Sequence, residues 1–375
     1  MRALQSVFRM PIRSFSPSGS FRDAAERLSD VLAGGFDGVL LTAFDGRAGS
    51  IGELTALCQH LHALGLCVLL DIACLYNGIG SPSPVIEAAV KQGLADGFLM
   101  TGEEWCRQDV RDTVTAMQKA NASLWFGLWD TPPTEGARPD GVARRGFSPY
   151  ALLHAADADA AWTAATETVG RGRGPLLTDA VRFADEAVAL CERDDAALVL
   201  SWLLPGVPFL ADAWKPSARV GRPTDAERYA ARRHGELLSR LQALHKTYPS
   251  LALSQGVLRA TCEDGTLTFS RRVSDGTLYV VCRLCEGEGT VNERCFQSTP
   301  PCLTSGLYRK EGRLYLTDYG YAVCFVKKAE KPPRAVAADA ESDRMETQNE
   351  NDIANNTFQN DGVLKENNEE IDTDG

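Results

Sequence analysis

No stretch of the 375-residue chain reaches the run of roughly 18 to 20 apolar residues that a membrane-spanning helix needs, so no membrane partner is expected. The opening MRALQSVFRMPIRSF scatters Arg2, Arg9 and Arg13 and holds no continuous apolar core, which argues against a secretory leader. No glycine-rich phosphate loop of the GxGxxG or GxxxxGKS kind follows an apolar strand. GRGRG at 170–174 precedes one instead, and so argues for no nucleotide cofactor. Positive charge is also scarce: 39 Lys and Arg face 50 Asp and Glu. Of the formal net charge of −11, the stretch 329–375 carries −9, from 13 acids and 4 bases, which leaves −2 for the rest and gives nucleic acid no basic face. The 11 cysteines are an odd number, and Cys58, Cys67, Cys74 and Cys191 sit inside apolar runs. Buried reduced thiols of a cytoplasmic protein fit that pattern better than a disulfide framework. Cys282 and Cys285 have CxxC spacing, but no second CxxC accompanies them and in a strand the two would point to opposite faces; no metal is expected.

What the chain does contain falls into three parts. From residue 1 to about 247, short apolar segments alternate with amphipathic ones: DGVLLTAF then IGELTALCQHLHAL, LCVLLDIAC then SPVIEAAVKQGL, DGFLM then VRDTVTAMQKA, and later SLWFGLWD. Near-continuous apolar strands between helical segments mean a parallel sheet buried on both faces, either doubly wound or closed as a (β/α)8 barrel. Several of these strands end in polar groups (Asp45, Asp71, Thr101 with Glu103, Asp130, Asp179), and C-terminal strand ends build the site of a barrel. From 248 to 328, TLTFSRR, TLYVVCRL, RLYLTD and YAVCFVKK are separated by Asp264-Gly265, Asp275-Gly276 and Glu311-Gly312, the marks of a small antiparallel β-sandwich. From 329 to 375 the chain is rich in Asn, Asp and Glu with almost no aromatic or branched apolar residues, and is expected to be a disordered tail.

Seven segments, in order, resemble the α-amylase family, glycoside hydrolase family 13. IRSFSPSGSFRDAAERLSDVLAGGFDGVLL is similar to the family's first strand and helix, and LHALGLCVLLDIACLYNG to its third-strand segment GIKVILDVVxNH. ADGFLMT is similar to GFRxD on the fourth strand, NASLWFGLWD to the fifth-strand segment around GE, and PLLTDAVR to NHDxxR on the seventh. LLPGVPFLADAW resembles PGxPxxYYG, which follows the eighth strand, and LLSRLQALHKTYPSLALSQG the helix leading to the C-terminal β domain. The resemblance implies a (β/α)8 barrel followed by that domain, and carbohydrate chemistry at the barrel's open face.

It also implies a site, and this sequence departs from it. A retaining glycosidase needs a carboxylate nucleophile and a carboxylic acid that protonates the leaving oxygen. At those positions stand Thr101 and Leu128, and Leu99 replaces the family's arginine. Leu75 and Tyr76 replace Asn and His of the third-strand motif, and Leu177 and Thr178 those of the seventh; Asp71, Asp179 and Arg182 remain. A leucine transfers no proton, and a threonine without an adjacent base is a poor nucleophile. The first expectation is therefore a catalytically inactive relative that binds an α-glucan, an oligosaccharide or a protein partner through Asp71, Tyr76, Asp179, Arg182 and the aromatic Trp129. Two other readings stay open: an active glycosidase or transglycosylase using displaced acids (Glu103 or Glu104 with Asp130), and a scaffold without sugar affinity. Against the first of these, Glu103 and Glu104 suit the start of the following helix and Asp130 suits a turn before Thr131-Pro132-Pro133.

Overall fold

The computed structural model describes residues 4, 6–33, 35–76, 80–129, 143–145, 152–153, 155–170, 176–180, 191–204, 207–211, 225–248, 251, 257–273 and 276–328. The expected tail, 329–375, lies outside them.

Eight parallel strands follow one another around a closed barrel: β1 (Val7–Pro11), β2 (Gly38–Thr42), β3 (Cys67–Asp71), β4 (Gly97–Met100), β5 (Trp125–Leu128), β6 (Ala143–Arg145), β7 (Leu176–Ala180) and β8 (Val207–Ala211). Val7 pairs with Gly38 on one side and Phe209 on the other, which closes the ring and leaves no free edge. Two corrections to the segment assignments follow. The first strand lies before the stretch that begins at Ile12, since Ile12–Phe15 is already a short helix. GVPFLADAW does not follow the eighth strand; its VPFLA is that strand.

Alternation along each strand makes two apolar layers. Val7, Leu40, Leu69, Leu99, Val207 and Phe209 fill the lumen, with Trp125 and Trp129 packed against them. Their neighbours Phe8, Met10, Val39, Leu41, Val68, Leu70, Phe98, Met100, Phe126 and Leu128 join the outer layer beneath the helices. The rings of Phe98 and Phe126 stack there, while those of Trp125 and Phe209 meet inside. Each such side chain removed from water contributes about 1.5–3 kcal/mol. The Trp125 indole needs space that two glycines supply. A Cβ on Gly127 would overlap its ring and lie 2.8 Å from Leu99 Cδ1, and one on Gly97 would come within 2.9 Å of Trp125 Cβ.

Helices Ile51–Ala63, Ser83–Lys91 and Gln108–Ala120 cover the outer layer with Leu54, Leu57, Leu61, Ile86, Val110 and Val114. Ser50 starts the first of them: its hydroxyl accepts from Glu53 N–H, and the Glu53 carboxylate accepts from Ser50 N–H at 2.7 Å. Between β3 and β4 the described residues hold only two helices, Ile72–Tyr76 and Ser83–Lys91.

The C-terminal strands are β9 (Val257–Glu263), β10 (Thr266–Val273), β11 (Gly276–Arg283), β12 (Gly289–Val291), β13 (Leu303–Lys310) and β14 (Arg313–Lys327). All are antiparallel, in the order β12-β14-β11-β10-β9 with β13 also on β14, so the region is β-rich as expected but its six strands share one hydrogen-bonded sheet. Asp264-Gly265 and Glu311-Gly312 make tight turns with positive φ at both residues (51° and 66°, 51° and 78°). Residues 1–328 form one compact unit. Its seam, between the last barrel helices and the sheet, buries polar groups. Arg271 of β10 donates to Leu203 O (2.9 Å) at the end of helix Cys191–Leu203, and His245 of helix Asp225–Thr247 bonds Trp202 O at 3.0 Å. Asp195 pairs with Arg233 and with His234 (2.8 Å), and Tyr248 stacks on Phe325.

Candidate functional site

The C-terminal strand ends bring together Arg9, Thr42, Asp71, Tyr76, Thr101, Glu104 and Trp129. Arg9 lies two residues after the lumen residue Val7 on β1, Thr42 two after Leu40 on β2, Asp71 two after Leu69 on β3, and Thr101, just past β4, two after Leu99, so all four share the lumen face. Trp129, just past β5, is fixed by its backbone N–H donating to Met100 O at 2.8 Å and packs on the lumen cluster.

Asp71 is the centre. Its Oδ1 accepts from Ala73 N–H at 3.1 Å, and the Trp129 indole N–H donates to the same carboxyl. Burial pushes the Asp71 pKa up from 3.8 to about 6; the negative charge of Glu104 adds to the rise, while the Ala73 N–H, Arg9 and Trp129 oppose it. The guanidinium of Arg9 lies over the Trp129 ring, 4.7 Å from its centroid. Thr42 is 2% exposed, and its hydroxyl has no hydrogen-bond partner among the described residues.

Thr101 and Glu104 form a closed pair. Thr101 Oγ1 accepts from Glu104 N–H (3.2 Å), and the Glu104 carboxylate accepts from Thr101 N–H (2.7 Å), a capping box that starts helix Gly102–Cys106. The Tyr76 hydroxyl also bonds Glu104, and burial with that bond raises the Tyr76 pKa above its usual value. Glu104 is buried, and Glu103 is exposed on the first turn of the same helix.

Of the residues singled out from sequence, Asp71, Tyr76, Thr101, Glu104 and Trp129 are brought together. Leu128 is not: it is fully buried in the outer layer with Phe126, because lumen-facing positions on β5 are Trp125, Gly127 and Trp129. Trp129, not Leu128, therefore occupies the lumen position at the top of β5. Asp179 lies in β7 opposite Phe209; its side chain, Asp130 and Arg182 fall outside the described residues. Arg9 was missed, although an arginine third in the otherwise apolar strand VFRMP is a signal that sequence alone offered. Among the described residues, no group of three or more His, Cys, Asp or Glu is placed to hold a metal ion. No helix among them is long and apolar enough to cross a membrane.

A closed eight-stranded parallel barrel with polar strand ends and a trailing antiparallel sheet defines a class, the (β/α)8 barrel proteins that carry a C-terminal β unit. No protein-family model matches the sequence, and no curated protein matches it. Solved structures do. The cyclic α-maltosyl-(1→6)-maltose hydrolase of Arthrobacter globiformis superposes with a TM-score of 0.64 at 15% identity, over 87% of this chain and 99% of its own. An α-amylase from Lactobacillus plantarum gives 0.62 at 12% over 86% and 98%, and the acarbose-complexed α-amylase of Geobacillus thermoleovorans 0.61 at 13% over 88% and 100%. The chain has the α-amylase fold, in a sequence far diverged from those of the enzymes that share it.

Proposed function

We propose that this protein is a catalytically silent relative of the α-amylases that holds an α-linked oligosaccharide at the barrel mouth. The observation that carries the reading is the state of the groups around Thr101. At the position where the resemblance calls for the nucleophile stands a hydroxyl engaged in a capping box, and the nearest carboxylate, Glu104, bonds Thr101 N–H and Tyr76. The lumen position opposite on β5 is Trp129, whose indole N–H is far too weakly acidic to protonate a leaving group. Retaining hydrolysis needs two carboxyls about 5 to 5.5 Å apart, one free to attack and one protonated. Glu104, tied by its bonds, does not meet the first condition. Glu103 is an exposed acid on the first turn of its helix, which weakens catalysis by displaced acids with Asp130. Binding draws support from fold neighbours solved in complex with acarbose and with maltose. Reduced, buried thiols such as Cys58, Cys282 and Cys324 accord with a cytoplasmic setting.

The test is product release from a maltooligosaccharide series at high protein concentration, run beside Asp179→Ala. Silence in both, with maltoheptaose binding measured by calorimetry, is the expected result. Product that disappears in Asp179→Ala overturns the reading. Silence without sugar binding, together with a stable co-purifying protein, moves it to a scaffold with a protein partner.

A further inference from the structure

The barrel mouth contains a charged group that neither the resemblance nor the sequence motifs assigned. Leu99, where the resemblance calls for an arginine on β4, is fully buried and belongs to the lumen cluster. The cation has not left the mouth; it enters from the opposite end of the chain order. Arg9 reaches up from β1, lies over Trp129 and acts on Asp71 through its charge. We propose that Arg9 is the positioning residue of a sugar subsite at the lumen edge, a guanidinium on the first strand in place of the one the resemblance calls for on the fourth, which orients Trp129 and brings a positive charge to Asp71.

Three observations converge on this. Arg9 and Trp129 stack, and the Trp129 N–H is bound to Asp71, so cation, ring and carboxyl form one connected unit in which moving one moves the others. Thr42, on the neighbouring strand, places a buried hydroxyl without a hydrogen-bond partner among the described residues, a group that a ligand hydroxyl or a water must satisfy. Acid outweighs base there: Arg9 acts on Asp71 from β1, Glu103 and Glu104 stand on helix Gly102–Cys106, and Arg107, Tyr76 and Cys74, which also bonds Asp71, are the other ionisable groups. A mouth with more acid than base, lined by donors and acceptors beside an indole, suits the vicinal hydroxyls of a neutral pyranose rather than an anion. This inference rests on the sugar-binding reading above only for its ligand; the hold of Arg9 on Asp71 stands apart from it.

Two measurements on the full chain therefore decide it separately. The first is the titration midpoint of the Asp71 carboxyl, followed by carbon NMR and assigned with Asp71→Asn. Removing the positive charge in Arg9→Met raises that midpoint, by about half a unit or more. Arg9→Lys keeps the charge without the planar stacking group and leaves the midpoint near that of the parent. An unchanged midpoint in folded Arg9→Met overturns the proposal. The second is calorimetric affinity for maltoheptaose, expected to weaken about tenfold in Arg9→Met and to recover only in part in Arg9→Lys. Equal affinity in parent and Arg9→Met overturns the role of Arg9 in holding sugar. If the parent chain binds no sugar at all, the oligosaccharide reading fails while the NMR midpoint still decides whether Arg9 sets Asp71.

Discussion

The seam between barrel and sheet and the mouth of the barrel both bury charge. At the seam Arg271 is fully buried, donates to a helix-end carbonyl, and has its pKa lowered to about 10 by burial alone. Asp195 is held there by Arg233 and His234 from the facing helix. At the mouth, Asp71 is bonded by Ala73 and Trp129, yet burial and Glu104 keep its pKa near 6. Burial that is matched by partners makes a joint; burial that leaves an acid close to its titration point makes a surface able to respond to a ligand. That difference separates structural from functional charge in this fold.

The largest expected effect breaks the seam. Asp195→Ala leaves Arg233 and the almost fully buried His234 without their carboxylate and costs about 3–5 kcal/mol in urea unfolding. The Asp71 midpoint at the mouth is expected to stay unchanged in this variant. A loss below about 1 kcal/mol would mean that the seam is as loosely held as the mouth.

The two regions also pull stability in opposite directions over the same pH window. The folded pKa of Asp71 is raised from 3.8 to about 6, so its contribution is complete below pH 4 and is lost as pH rises through 6. For His245 the folded value is lowered from 6.5 to about 4 by burial, so its contribution is complete above pH 6.5 and is lost as pH falls towards 4. Asp71→Asn should thus be more stable than the parent by about 1–3 kcal/mol at pH 7.5 and equal to it near pH 4. His245→Gln should flatten the acid side of the stability profile whatever it costs in packing. Urea midpoints measured from pH 4 to 8 check both slopes; parallel profiles for parent and Asp71→Asn would show that Asp71 is not held near its titration point.

Much of this architecture was legible in advance, and the reason is local. Apolar runs such as CVLLD and GFLM are buried on both faces and announce parallel strands, while Asp264-Gly265 and Glu311-Gly312 announce turns that demand positive φ. β6 carries no such signal, because its three residues are Ala143, Arg144 and Arg145. Which candidate positions share the lumen face was legible at Asp71 and Thr101. At Leu128 it was not, since a motif match fixes order along the chain while the pleat decides which of two neighbours points inward. Arg9 escaped because its partners, Trp129 and Asp71, come from β5 and β3, a meeting that only barrel closure brings about.

The smallest effect sharpens the comparison most. Two capping boxes of the same chemistry start helices after barrel strands: Ser50 with Glu53 on helix Ile51–Ala63, and Thr101 with Glu104 on helix Gly102–Cys106. Ser50→Ala and Thr101→Ala each remove one side-chain acceptor from an N–H group and should each cost about 1 kcal/mol in stability. Only the second cap is shared with the mouth, where Glu104 also bonds Tyr76 and presses on Asp71. Thr101→Ala should therefore weaken maltoheptaose binding while Ser50→Ala leaves it unchanged, a difference that calorimetry on the two variants measures directly. If both bind like the parent, Thr101 is a helix cap and nothing more, and the subsite is confined to Arg9, Thr42, Asp71 and Trp129.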